Sequence, residues 1–217
     1  YALSTARRFQ DAVAMAERAV AANPNDPSTL INAGNAFLRG GFPQRAADTY
    51  LATFRAVSRK YPDKRPAEIL ADLVAVNPGD EGKWFAAAKD AGLYEEALTL
   101  AGQTPCDPRT LTRAARDHAE SEPAFAQGVG ILALHWLLEG YGSEITGLDV
   151  SVAYSQTMKA AERLGWASEV RAGLRLWPHP KVDQRLEVAF PDGPLSCRLI
   201  SLPIYLAEEI WSLLPSL

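Results

Sequence analysis

Apolar residues over about residues 9–60 recur at intervals of three and four, the spacing that lines one face of an α-helix. Phe9, Ala12, Ala16 and Ala19 form one such row, Leu30, Ala33, Gly34 and Phe37 a second, and Ala46, Tyr50 and Thr53 a third. Asn23-Pro24 separates the first two rows, because the residue before a proline is pushed out of the helical region. Asp26 then reads as an N-cap with Pro27 at the first helical position, where a missing N–H costs nothing. Gly40-Gly41 breaks the second helix and Pro43 opens the third. The pattern predicts helices over 4–22, with a break near Arg8 as the alternative, and over 27–39 and 43–60.

The same grammar continues. A short helix runs from Pro66 to Val76 and stops at Asn77-Pro78-Gly79, and another runs from Asp80 to Ala91 with Trp84, Phe85 and Ala88 inward. Gly92 breaks it, and Tyr94, Ala97 and Ala101 resume the period. Asp107 caps a helix that starts at Pro108 and reaches about Glu120, and Pro123 starts one to about Glu139. Thr146 with Asp149 three residues on makes a capping box, opening a helix that Gly165 ends after Leu164; 166–176 gives one more. Beyond Pro178 the texture changes. Leu186 to Phe190, the turn Pro191-Asp192-Gly193, and Leu195 to Leu202 read as strand, turn, strand, before an apolar closing helix from Pro203 to Leu214. The expected organisation is a helical domain over 1–177 and a cap over 178–217.

Ala12 to Ala46, Ala16 to Tyr50 and Ala19 to Thr53 each span 34 positions. A helix–turn–helix unit repeating at that period resembles the tetratricopeptide family. With Pro27 as the first position, Leu30, Ala33, Gly34, Phe37, Ala46 and Tyr50 fall on that family's large, small and aromatic positions. Thr53 replaces its usual alanine and Ser58 its usual proline, and Ala97 follows Ala46 by 51 residues, so a helix is inserted. The resemblance implies an all-α right-handed superhelix of antiparallel helix pairs. It also implies a concave groove, lined by the first helix of each pair, that holds a peptide or protein partner. Ile31, Asn35, Leu38 and Arg39, with Asn32 near the edge, are the positions facing that groove. Asn35 matches the asparagine with which some members grip a peptide backbone or carboxylate, while the lysine they carry four residues earlier is Ile31 here.

Composition adds bounds rather than identity. Hydrophobic content of 47% and charged content of 22% suit a globular chain with a buried core. The apolar stretch from Val129 to Leu138 is about half of the ~20 residues a bilayer crossing needs. Cys106 and Cys197 form neither a disulfide framework nor a zinc motif, so a reducing, cytoplasmic setting is expected. Starting at Tyr1 rather than Met, the chain reads as a fragment, and the lack of a leader says little. Charge is uneven: +5 over residues 1–65, −8 over 66–145 and −1 over 146–217.

Candidate chemistry is sparse. His118, His135 and His179 have no second ligand at helical spacing, so no metal or cofactor is expected. Cys106 sits at a helix start, where a thiolate gains from the dipole, yet no motif brings a histidine to it; packing is the favoured role. Adjacent acids such as Asp80-Glu81 and Glu95-Glu96 do not face each other on a helix. Gly128 and Gly130 lack the Lys-Ser/Thr of a phosphate loop and read as close-packing glycines. Arg55, Arg59, Lys60, Lys64 and Arg65 surround Tyr61 as a nucleic-acid surface would, but the net charge of −4 argues against it. The expectation is a non-enzymatic interaction scaffold. Its alternative is an oligomerising or regulatory domain of a larger enzyme.

Overall fold

Short-range chemistry builds the first helix pair. In the computed structural model, which describes residues 2–76, 78–142 and 145–175, Asp26 is extended (φ −85°, ψ 116°). Its carboxylate accepts from the Thr29 N–H at 2.8 Å and the Thr29 hydroxyl at 2.7 Å, satisfying groups that a helix start leaves open. The helix that follows, α2, runs Pro27–Arg39 after α1 (Ala2–Ala22), and α3 is Pro43–Lys60. Gly41 makes the turn between α2 and α3 at φ +82°. These bounds match the sequence expectation for α2 and α3, and α1 is unbroken at Arg8.

Leu30, Ala33, Gly34 and Phe37 of α2 pack against Ala46, Tyr50, Thr53 and Phe54 of α3, all buried. A methyl at Gly34 would lie 2.6 Å from Tyr50 Cε1, so the helices meet where α2 has no side chain. Thr53 is fully buried where an alanine would fit. It is tolerated because its hydroxyl donates to the Thr49 carbonyl at 2.9 Å. Among the α1 residues whose side chains are described, Val13 and Ala16 are buried; Ala19, expected inward, is exposed, as is Phe9 at 40%. The reason is the 3.6-residue period: a face centred on branched Val13 and Ala16 leaves Ala19 beyond its edge. Arg45 binds Glu17 at 2.8 Å and lies 4.2 Å from the Phe37 ring centroid, tying α3 back to α1 and α2.

Next come α4 (Pro66–Val76), a 3-10 helix (Glu81–Trp84), α5 (Phe85–Asp90) and α6 (Tyr94–Gln103). One α-helix was expected from Asp80 to Ala91, but its first turn is 3-10. There Gly82 sits directly on backbone: an added Cβ would be 2.5 Å from the Thr104 carbonyl oxygen and 2.8 Å from that of Pro105. The Gly82 N–H donates to the Thr104 hydroxyl at 2.7 Å, a contact that fits the tighter wind. Gly82 through Ala88 are all buried, and Arg55 of α3 binds Asp90 of α5 through two bonds of 3.0 and 2.6 Å.

The remaining helices are α7 (Pro108–His118), α8 (Pro123–Leu138), α9 (Gly147–Leu164) and α10 (Ala167–Arg175). The described residues form two compact units, divided within α7 between Leu111 and Thr112. In the second unit α8 is buried over most of its surface and packs on α9, with Gly130 against Thr157. A methyl at Gly130 would lie 3.1 Å from the Thr157 Cα, the close approach expected of that glycine. Thr146 donates its N–H to Asp149 at 2.9 Å and Gly165 stops α9 at φ +77°, so the capping box and the glycine stop both form. Glu120 takes Lys159 at 3.2 Å and also Arg163, anchoring α9 to the end of α7.

The described residues hold ten α-helices, one 3-10 helix and no strand. The expected hairpin over 186–202 and the closing helix from Pro203 lie outside the described residues. Among the described residues no helix is long and apolar enough to cross a membrane.

Candidate functional site

A groove of about 380 Å³ opens between α1 and α2. Asn32, Asn35, Ala36 and Arg39 line it from α2, positions that share one helical face; Arg8, Phe9 and Ala12 line it from α1. Three of the five expected groove residues, Asn32, Asn35 and Arg39, therefore come together. Leu38, 40% exposed, lines a second cleft instead, and half-buried Ile31 lines neither. The period placed all five on α2. It did not resolve which side of the helix each occupies, a matter of some 100° per residue.

Asn35 is oriented from below. The Tyr50 hydroxyl donates to Asn35 Oδ1 at 2.8 Å, which leaves the carboxamide NH₂ as the donor for a ligand. Burial pushes the Tyr50 phenol far above its usual range, and the charge of Asp80 raises it further against the opposing pull of Arg39. Tyr50 thus stays a proton donor at any physiological pH. Among the described residues the groove lining carries two guanidiniums, Arg8 and Arg39, two carboxamides and the Phe9 ring, and no carboxylate. Such a surface attracts anions and offers N–H donors to planar oxygen acceptors. The α1 contribution was missed in sequence because Arg8 carried no motif and Phe9 read as core.

The second cleft lies on the other side of Tyr50 and is small, about 40 Å³. Leu38, Pro43, Phe85 and Cys106 give it apolar walls, and Lys83 lines it with a side chain only 3% exposed. Burial, and then the charge of Asp107, push the Cys106 thiol well above its normal range. That makes Cys106 a packing residue and disposes of a thiolate at the α7 start. Burial also lowers the Lys83 ammonium, with Asp80 and Glu81 opposing and Arg39 assisting. Nothing in the local sequence distinguishes Lys83 from a surface lysine.

The other candidates are absorbed locally. Arg55 is held by Asp90, Lys64 by Asp72 at 2.7 Å and Arg65 by Glu68, while Arg59 reaches Asn25 at 3.1 Å. Most of the basic cluster's charge is therefore spent on internal partners rather than presented to a polyanion. His118 Nδ1 lies 3.0 Å from the Ala114 carbonyl oxygen with its ring edge-on to Phe125, and the His135 ring lies 4.5 Å from that of Trp136. Glu81 accepts from the Gly79 N–H at 2.7 Å. His179 and Cys197 lie outside the described residues. Compared with family models, curated proteins and solved structures, the chain matches none.

Proposed function

We propose that this chain is a helical-repeat interaction scaffold of tetratricopeptide type, which holds an extended, acidic peptide segment of a protein partner in the α1/α2 groove. The observation that carries the reading is the groove lining: Arg8 and Arg39 with the Asn32 and Asn35 carboxamides, and no carboxylate among the described residues. Asn35 and Asn32 supply donors to the peptide carbonyls, Arg39 and Arg8 neutralise acidic side chains, and Phe9 covers apolar stem atoms. On this reading the chain performs no reaction and needs no cofactor. The 34-residue spacing across α1 to α3 supports the repeat assignment.

The test is fluorescence anisotropy with matched Glu-rich, Lys-rich and neutral peptides of one length. The Glu-rich peptide is expected to saturate the chain. Asn35→Ala with Arg39→Ala should weaken it at least tenfold, about 1.4 kcal/mol, with helicity by circular dichroism unchanged. Equal binding of all three peptides, or of wild type and variant, sinks the reading. Self-association measured by light scattering, with no peptide bound, would instead favour the oligomerising role.

A further inference from the structure

We infer that Tyr50 is a specificity-determining residue of the α1/α2 groove: by locking the Asn35 carboxamide in one orientation, it makes the α2 wall read oxygen acceptors on the ligand and turn away N–H donors. This role rests on the peptide-binding reading of that groove and deepens it, naming what the groove selects. Tyr50 does not line the groove; it acts from behind α2. Its side chain is 0% exposed, and its ring centroid lies 5.3 Å from that of Trp84. On the other side the ring lies so close to Gly34 that an added Cβ there would be 2.6 Å from Cε1. Core packing therefore sets the position of the hydroxyl, whatever occupies the groove.

One amide orientation suits that hydroxyl. The phenol donates to Asn35 Oδ1 at 2.8 Å, which leaves the NH₂ to the groove. Turned over, the carboxamide would offer its NH₂ to the phenol oxygen. The buried O–H would then lose its acceptor among the described residues, a loss that solvent cannot make good at so enclosed a side chain. Ionisation gives no way out, because burial holds the phenol protonated. Asn32, three residues earlier on the same wall, is exposed, and among the described residues no hydrogen bond fixes its carboxamide. It can present either its oxygen or its NH₂, and the guanidiniums of Arg8 and Arg39 are donors in every rotamer. The fixed amide polarity of the wall thus comes from the Tyr50–Asn35 pair. A glutamate side chain is acceptor-only and meets that polarity, whereas a glutamine of the same shape brings an NH₂ that finds no acceptor at Asn35.

Fluorescence anisotropy with the Glu-rich peptide and its Gln-rich isostere tests this on wild type, Tyr50→Phe, Asn35→Ala and the double variant. Phenylalanine keeps the ring and its packing and removes the hydroxyl alone. A released Asn35 must be ordered at binding, so Tyr50→Phe is expected to weaken the Glu-rich peptide about two- to tenfold and to narrow the preference for Glu over Gln. In the Asn35→Ala background the same change should do nothing, since no carboxamide remains to be positioned. An equal loss in both backgrounds means that Tyr50 acts through packing and overturns the role, as does an unchanged preference in Tyr50→Phe. On wild type alone, the Asn35 side-chain amide protons, followed by ¹⁵N NMR, should exchange freely with water in the unliganded chain and gain protection with the Glu-rich peptide. Protection already present without peptide would mean that the carboxamide is turned over, and overturns the role even where a variant fails to fold. Wild type that binds neither peptide, with Asn35 exchanging freely throughout, sinks the peptide reading and this role with it.

Discussion

Adding one methyl group at Gly34 should cost this chain stability, although glycine to alanine inside a helix ordinarily gains it. In open space the change is worth about 1 kcal/mol in favour of alanine. At Gly34 the new Cβ would sit 2.6, 2.9 and 3.0 Å from three Tyr50 ring atoms, well inside contact distance. The ring has little room to retreat. Tyr50 is 0% exposed, its hydroxyl is bonded to Asn35 at 2.8 Å, and its centroid lies 5.3 Å from that of Trp84. Overpacking of this kind costs ~1–3 kcal/mol, and loss of the Tyr50–Asn35 bond adds ~0.5–1.5 kcal/mol. After the propensity gain, the net is about 0.5–3.5 kcal/mol of destabilisation. Because the chain forms two compact units, a single melting curve would mix them. Amide hydrogen exchange read on α2 and α3 by mass spectrometry isolates the effect. Exchange there should speed in Gly34→Ala, while Gly173→Ala, with nothing within 4 Å of the added Cβ, should be neutral or stabilising by up to about 1 kcal/mol. Unchanged or slower exchange of α2 and α3 in Gly34→Ala would refute the packing argument. Since the same ring orients Asn35, a real defect should weaken peptide capture as well.

Gly130→Ala should destabilise the second unit by ~1–3 kcal/mol, because the methyl meets Thr157 backbone that cannot rotate away; exchange in α8 and α9 reads this. The Thr29 hydroxyl and N–H hold the Asp26 carboxyl below its usual value, so the unfolded chain takes up its proton first. The stability it contributes is full above the ordinary carboxylate range and lost as pH falls through the lower folded value. Asp26→Ala should lower the urea midpoint at pH 7 and flatten the acid limb. For Lys83 burial lowers the folded value, so between it and the normal lysine range the unfolded chain again holds more protons. Stability should therefore rise with pH toward the alkaline side, and Lys83→Met should equal or exceed wild type at pH 7 while losing that rise; a clear loss at pH 7 would count against it.

Helix boundaries were legible in the chain because they depend on neighbours within a turn. Asp26-Pro27, Gly40-Gly41, Thr146 with Asp149 and Gly165 act through backbone sterics and short hydrogen bonds, and each does locally what its chemistry dictates. The apolar period likewise put Gly34 and Tyr50 in the rows along which α2 and α3 meet. The rest needed residues far apart in sequence to meet. Which face of α1 turns inward, and whether Leu38 belongs with Asn35 or with Lys83, follow from how helices roll against one another, about which a period is silent. Arg55 loses its free charge to Asp90, 35 residues on, and Gly82 tightens its turn against Thr104 and Pro105. The sequence determined that the described chain is a series of capped helices with small residues at their crossings. Only the tertiary structure decided where charge is buried or gathered on one surface, since burial and proximity are properties of through-space contact, and these single out Lys83 and the Arg8–Arg39 groove.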